Sequence, residues 1–206
     1  MTELIELHAE IRRCTICVDR PIGKALPHKP RPVVVPSSEA RICIAGQAPG
    51  TRVHQSGRPF TDPSGERLRE WLGVDETIFY DPDQIAIVPM GFCFPGLNDK
   101  GADLPPRREC ADAWHDRLFA MMPQIELVLV IGQYAQAYHL GDRRMKTLTQ
   151  TVASWRTLLA SPVNGRFVLP LPHPSWRNNS WIKKNPWFSE EVIPALRKEV
   201  GKRLPK

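Results

Sequence analysis

The chain has 206 residues, 42% of them hydrophobic and 24% charged, which is enough apolar surface for one ordered domain of ordinary size. This composition excludes a disordered polyelectrolyte and a mini-protein held together only by disulfides. Lys and Arg number 28 against 22 Asp and Glu, and the net charge of +6 favours polyanionic partners.

No run of about 18 apolar residues occurs, so no membrane partner is expected. Glu3, Glu6 and Glu10 stand where a signal peptide would need an apolar core, which gives the expectation of a cytoplasmic protein. The odd count of five cysteines argues for thiols or metal ligands over complete disulfide pairing. The chain is expected to form a single domain over residues 1–206 and to be a monomer.

In chain order, residues 2–13 read as a short helix, with Leu4, Ile5, Leu7 and Ile11 at roughly helical spacing and Thr2 as its cap. It delivers Cys14 and Cys17. Between Pro21 and Pro36 five prolines forbid a central strand, so this stretch, part of an N-terminal arm over residues 1–37, is expected to lie extended as a clasp. Short apolar runs at Arg41–Ala45, Ile85–Val88, Leu127–Ile131 and Phe167–Leu171 are candidate strands. Helical patterns separate them at Ser64–Leu72, Arg107–Met122, Gly132–His139 and Thr147–Leu159, with a last helix near Glu190–Arg203. Alternation of this kind predicts a three-layer α/β/α sandwich around a mainly parallel four-stranded sheet. Ligands then sit beyond the carboxyl ends of the strands, in the loops after Ala45, Val88, Ile131 and Leu171.

Two of those loops carry distinctive chemistry. Gly46-Gln47-Ala48-Pro49-Gly50 permits a tight turn with exposed amides, and Gly57-Arg58-Pro59-Phe60-Thr61-Asp62-Pro63-Ser64-Gly65 follows closely. Phe60 reads either as a face on which a base stacks or as a plug in the core. After the last strand, His173 is pinned between Pro172 and Pro174, suited to stabilising a developing anion. Ser175, Trp176, Arg177 and Asn178 continue as a polar loop that either grips DNA or is an ordinary surface turn.

The order GQAPG, GRPFTDPSG and HPS resembles the uracil-DNA glycosylase superfamily, most nearly its iron-sulfur family 4, over about Cys14 to Phe188. The pattern Cys14-x2-Cys17, Cys93, Cys110 is similar to that family's cluster ligands, and a [4Fe-4S] cluster is what the resemblance implies. A zinc ion or four unrelated buried thiols are the competing readings. Cys43, inside the first strand, reads as a small core residue.

The resemblance further implies that Phe60 stacks on the flipped base, that Gln47 contacts it, and that His173 stabilises the departing base anion. Gln47 replaces the glutamate of the family motif, and Ala48 stands where the most active family has a water-directing aspartate. Pro89 occupies the place of the asparagine that pairs with the uracil edge, so either backbone groups of Met90, Gly91 and Phe92 are expected to serve there instead or the pocket is expected to accept a different lesion. Asp62 is the nearest acidic candidate to guide the water, and it also reads as the cap of the following helix; His54 is a second candidate.

The function implied is removal of uracil or a related damaged base from single- or double-stranded DNA by flipping the nucleotide and hydrolysing its N-glycosidic bond. Arg58 and the Ser175–Asn178 loop are the expected DNA contacts. Basic residues also gather at Arg52, at Arg143, Arg144 and Lys146, and at Lys183 and Lys184. A DNA-damage binding module without catalysis, and a small-molecule hydrolase on the same scaffold, are the alternatives.

Overall fold

The computed structural model describes residues 2–204. Four strands, β1 (Ile42–Ala45), β2 (Ile85–Ile87), β3 (Leu127–Ile131) and β4 (Phe167–Leu171), form one all-parallel sheet in the order β2-β1-β3-β4. The register places Ile42 beside both Ile85 and Leu127, and Leu127 beside Phe167. Parallel strands need helical crossovers, which cover both faces and produce the expected three-layer arrangement.

Alternation along each strand sorts two cores. Cys43, Ala45, Ala86, Val88, Val128, Val130 and Val168 face one side, where Leu4, Leu7, Ile11, Trp114 and Leu118 pack on them. Ile42, Ile44, Ile85, Ile87, Leu127, Leu129, Leu169 and Leu171 face the other, beneath Leu68, Trp71, Phe79, Phe188 and Leu196. The small residues of the first face admit bulky helix residues, so both layers fill.

The N-terminal helix runs over Thr2–Arg12, and the proline-rich stretch beyond it bends at residues 22–24 and 27–28 before running without a bend over residues 29–37. Val35 pairs with Ile87 through reciprocal backbone bonds of 2.8 Å, so the clasp covers the free edge of β2. The helix expected over Arg107–Met122 spans Arg108–Ala120 with a π turn at Ala111–His115. The wider turn lets the consecutive side chains of Trp114 and His115 both point inward. The helix expected over Thr147–Leu159 is two, Leu148–Ala153 and Trp155–Ala160, because the Ser154 hydroxyl bonds back to Thr151 O at 2.8 Å. The last helix, Ile193–Gly201, follows a π turn at Phe188–Val192. Short helices at Thr51–Ser56, Glu76–Tyr80 and Asn179–Lys184 are too brief to show a period in sequence. No helix among the described residues is long and apolar enough to cross a membrane.

Candidate active site

The order β2-β1-β3-β4 reverses chain direction across the sheet between β1 and β3, and a crevice opens at the carboxyl ends there. A cavity of about 100 Å³ occupies it, walled by the Gly46–Gly50 loop, Pro59, Phe60, Asp62, Pro89, Ile131, Asp103 and His173. Segments following β1, β2 and β4 thus meet the last residue of β3 in one place, and Gln47, Ala48, Phe60, Asp62 and His173 are brought together there.

Phe60 is held by unusual backbone. Its φ of +54° is left-handed, a conformation seldom adopted by aromatic residues. The Tyr80 hydroxyl donates to its carbonyl at 2.9 Å, and its ring meets Phe79 edge-on with centroids 5.8 Å apart. Gly65 makes the turn possible, since a Cβ there would stand 1.9 Å from Phe60 O. The ring tip lies 3.6 Å from where a Cβ on Gly46 would be, so the ring stands against the GQAPG turn at the cavity wall.

Asp62 caps the Pro63–Leu72 helix: its Oδ1 accepts from Ser64 Oγ at 2.6 Å and from Gly65 N at 3.3 Å. It therefore stands in the cavity with one oxygen already engaged.

His173 is fixed by the turn that follows it. Ser175 N donates to its Nδ1 at 3.2 Å, so the neutral ring carries its proton on Nε2. Asn178 Nδ2 donates to its carbonyl at 2.7 Å. Burial lowers its pKa, Asp62 and Asp103 oppose that change, and Arg177 reinforces it. At neutral pH the imidazole is a neutral N–H donor.

The loop expected to meet DNA divides by role. The Ser175 backbone amide and the Asn178 side chain are spent on His173, and Arg67 ties the loop to the helix beneath by donating to Ser175 O at 3.2 Å and Asn179 Oδ1 at 2.8 Å. Trp176 is 72% exposed, with the Arg177 guanidinium 5.7 Å from its ring centre. Arg58 turns away to stack 3.5 Å over Tyr80 and pair with Glu76. Arg143 donates to Ser161 O at 2.6 Å.

Met90 and Gly91 do not line the cavity, and their amides are not free. Met90 N donates to Gly46 O and Gly91 N to Gln47 O, both at 2.9 Å, while Phe92 N donates to Cys110 Sγ at 3.4 Å. The backbone of this segment is occupied in holding the GQAPG turn, so it offers no donor to a base edge. His54 also lies outside the wall, packed against His28 and Phe94 with ring centroids 4.6 and 5.7 Å away.

Asp103 was not singled out by the sequence. It reaches the cavity from a loop after β2 whose ends pair at Leu97 and Asp103, and Gln47 Nε2 donates to Leu104 O at 3.4 Å. An acidic residue placed between the Gly101 turn and Pro105-Pro106 was the available signal.

Cys14, Cys17, Cys93 and Cys110 converge on a second cavity, of about 10 Å³, beside Phe92, Glu109 and Trp114. Contact with Cys93 lowers the Cys17 pKa to about 7, and the same contact holds Cys93 protonated. Burial pushes Cys110 up to about 12. Four thiols with a backbone amide donating to one of them suit a metal–sulfur centre in chemistry. As placed, they leave room for about one water, and no three His, Cys, Asp or Glu side chains among the described residues stand in coordinating geometry. Cys43 is a fully buried core residue.

Among solved structures, the chain is similar to a Methanosarcina acetivorans protein provisionally assigned as a uracil DNA glycosylase, at 15% identity and TM-score 0.48, covering 80% of this chain and 94% of that one. It is also similar to SMUG2 of Pedobacter heparinus, at 14% identity and TM-score 0.43, covering 78% and 76% respectively. The family model of the uracil DNA glycosylase superfamily matches residues 32–197, a span that runs from the clasp over β2 to the last helix and includes every wall of the cavity described above. The chain belongs to the uracil DNA glycosylase superfamily.

Proposed function

We propose that the protein is a DNA glycosylase that draws a uracil or a related damaged base out of the stack and hydrolyses its bond to the sugar. The observation that carries this reading is the meeting of Phe60 and His173 on one cavity at the carboxyl ends of the strands. Extruding a base costs a few kcal/mol, offset here by stacking on the Phe60 ring and by the exposed Trp176 pressing into the gap left behind. Breaking the bond leaves an oxocarbenium-like sugar and an anionic base. A neutral His173, its proton fixed on Nε2, donates to the oxygen where that charge gathers. Gln47, bound through its amide nitrogen to Leu104 O, presents its carbonyl oxygen to the base.

Cys14, Cys17, Cys93 and Cys110 would hold a [4Fe-4S] cluster, with zinc as the competing occupant. Such a centre would supply a covalent staple between the end of the first helix, the segment after β2 and the Arg108–Ala120 helix. It takes no part in the steps above.

The test is an excision panel on single-stranded and duplex oligonucleotides containing uracil, hypoxanthine, xanthine or 5-hydroxymethyluracil. Release of at least one base supports the reading, and release of none from tightly bound DNA replaces it with a damage-binding module. That second reading is favoured by one observation, the absence of a free amide along Pro89–Phe92. Absence of DNA affinity at low salt removes both.

A further inference from the structure

A hydrolytic glycosylase needs a group to hold and deprotonate water, and Ala48 leaves the GQAPG turn without one. Two carboxylates remain on the cavity wall, Asp62 and Asp103. Asp62 is engaged as a helix cap by Ser64 and Gly65. Asp103 is different: among the described residues its carboxylate makes no hydrogen bond and no ion pair. Its Oδ2 lies 3.7 Å from where a Cβ on Gly50 would stand, so it rests against the very turn that lacks a carboxylate.

The backbone that presents Asp103 is firmly held. Asn98 N donates to Ala102 O at 2.8 Å and Leu104 N to Gly96 O at 2.9 Å, closing the hairpin. Asn98 Oδ1 accepts from Lys100 N and Ala102 N, both at 3.0 Å. Gln47 Nε2 binds the hairpin at Leu104 O, a donation that a glutamate at position 47 would not make when ionised. The changed residue of the first motif thus couples the GQAPG turn to the segment that carries Asp103.

The geometry points to Asp103 as the catalytic base, the residue that holds the hydrolytic water and takes its proton, an assignment that rests on the glycosylase reading. As the bond from the sugar carbon to the base nitrogen breaks, its electron pair leaves with the base, against the His173 N–H. The water oxygen bonds to the sugar carbon, one water proton passes to the Asp103 carboxylate and then to solvent, and the base takes a proton from solvent. An abasic sugar and a free base result.

The charged groups facing Asp103 are Asp62 from the helix cap, and His173 and Arg177 from the loop after β4. Burial raises its pKa, Arg177 and His173 oppose that rise, and Asp62 adds to it. The net direction is upward, so the acid limb of the rate profile lies above the ordinary carboxylate value.

The experiment is single-turnover excision across about pH 4 to 9, on the base the wild-type protein releases, for Asp103→Asn, Asp103→Glu and Asp62→Asn. Asp103→Asn is expected to slow excision by about 10²- to 10⁴-fold at neutral pH, abolish the acid limb and leave oligonucleotide affinity undiminished. Asp103→Glu restores a carboxylate and is expected to recover at least about tenfold over the amide. Asp62→Asn keeps an equally good cap but removes the charge that raises the Asp103 pKa, so its acid limb is expected to persist and to move to lower pH. Asp103→Asn within about threefold of wild type, or with its acid limb intact, overturns the assignment while leaving the glycosylase reading standing. Loss of the acid limb in Asp62→Asn transfers the role to Asp62. A wild-type protein that releases no base from the panel ends the glycosylase reading and this assignment together.

Discussion

Gly65→Ala sets two physical effects of opposite sign against each other. Gly65 is the third residue of the Pro63–Leu72 helix, where alanine is favoured over glycine by up to about 1 kcal/mol from backbone entropy alone. The new Cβ would however stand 1.9 Å from Phe60 O and 2.7 Å from Phe60 C, which are backbone atoms and cannot swing aside like a flexible side chain. Relief requires the Phe60 peptide to move by more than about 1 Å, a shift large enough to break the 2.9 Å Tyr80–Phe60 hydrogen bond. Overpacking of this kind costs about 1–3 kcal/mol and the lost hydrogen bond about 1 more. After the helix gain is subtracted, a net loss of about 2 kcal/mol is expected, read as a lowered urea midpoint with unchanged slope. Displacing the Phe60 ring from the GQAPG turn should also slow excision about 100-fold, the usual penalty for a 1 Å error in placing a reacting group. A variant more stable than wild type by the helix increment, with full activity, would refute the argument that this glycine exists to let Phe60 approach.

His173→Ala is expected to reduce single-turnover excision by about 10²- to 10³-fold with little change in affinity, because the lost N–H acts on the departing anion; equal loss in binding would contradict that role. Phe60→Ala should weaken affinity for a flipped base analogue by about 1–3 kcal/mol, the worth of one base–aromatic stack, checked by titration with DNA containing the analogue. His115, fully buried, has its pKa lowered to about 4 by burial. Above pH 6.5 both folded and unfolded states carry it neutral; as pH falls from 6.5 towards 4 the unfolded chain takes a proton the folded chain refuses, so on the order of 3 kcal/mol is lost. His115→Phe should flatten that part of the pH–stability curve by one proton, and an unchanged slope from urea melts would count against it. For the cysteine centre, anaerobically prepared protein should contain iron and sulfide in equal amounts and Cys93→Ser should lose both; a colourless preparation holding stoichiometric zinc selects the other occupant.

The strands were legible because each is a short apolar run closed by Gly or Pro, and the boundaries of β3 and β4 coincide with the runs Leu127–Ile131 and Phe167–Leu171. Helices with a full apolar stripe were legible too. The departures occur where side chains compete with the backbone, as at Ser154, or where a π turn lets neighbouring Trp114 and His115 share one side. Within the candidate site, Phe60, Asp62 and His173 announce themselves by lying in Gly/Pro-rich loops, His173 directly beyond β4 and the other two after the short Thr51–Ser56 helix. Asp103 is marked only by its position between the Gly101 turn and Pro105-Pro106, which does not say where it points. Its place depends on a hairpin closing between Gly96 and Leu104 and on Gln47 reaching it from a distant loop, both of which are tertiary facts. The readiness of Met90 and Gly91 to read a base was also beyond sequence, because only the packed structure reveals that Gly46 O and Gln47 O already accept their amides.

That last point bears on which base the cavity selects. Pro89 has no N–H, its carbonyl meets His115 Nε2 at 3.1 Å, and the two residues after it donate to the GQAPG turn. The β2 side of the cavity is therefore a non-donating wall, formed by a proline ring. Hydrogen-bond recognition is left to the Gln47 side-chain amide, the His173 N–H and the Asp103 carboxylate. A site that rejects a competitor strongly does so by leaving its own buried polar groups unpaired, which gives far more discrimination than shape alone. With no amide on the β2 side to leave unpaired, selection among damaged bases should be shallow. The ratio of excision rates between the best and second-best bases of the panel is expected to stay within about 100-fold, the range that shape supplies. Introducing the missing amide by Pro89→Asn should widen that ratio in favour of uracil. A wild-type ratio of about 10⁴ or more would mean that a donor on the β2 wall becomes free when DNA binds, and the rigid pairing of Met90 and Gly91 with the GQAPG turn would have to break to provide it.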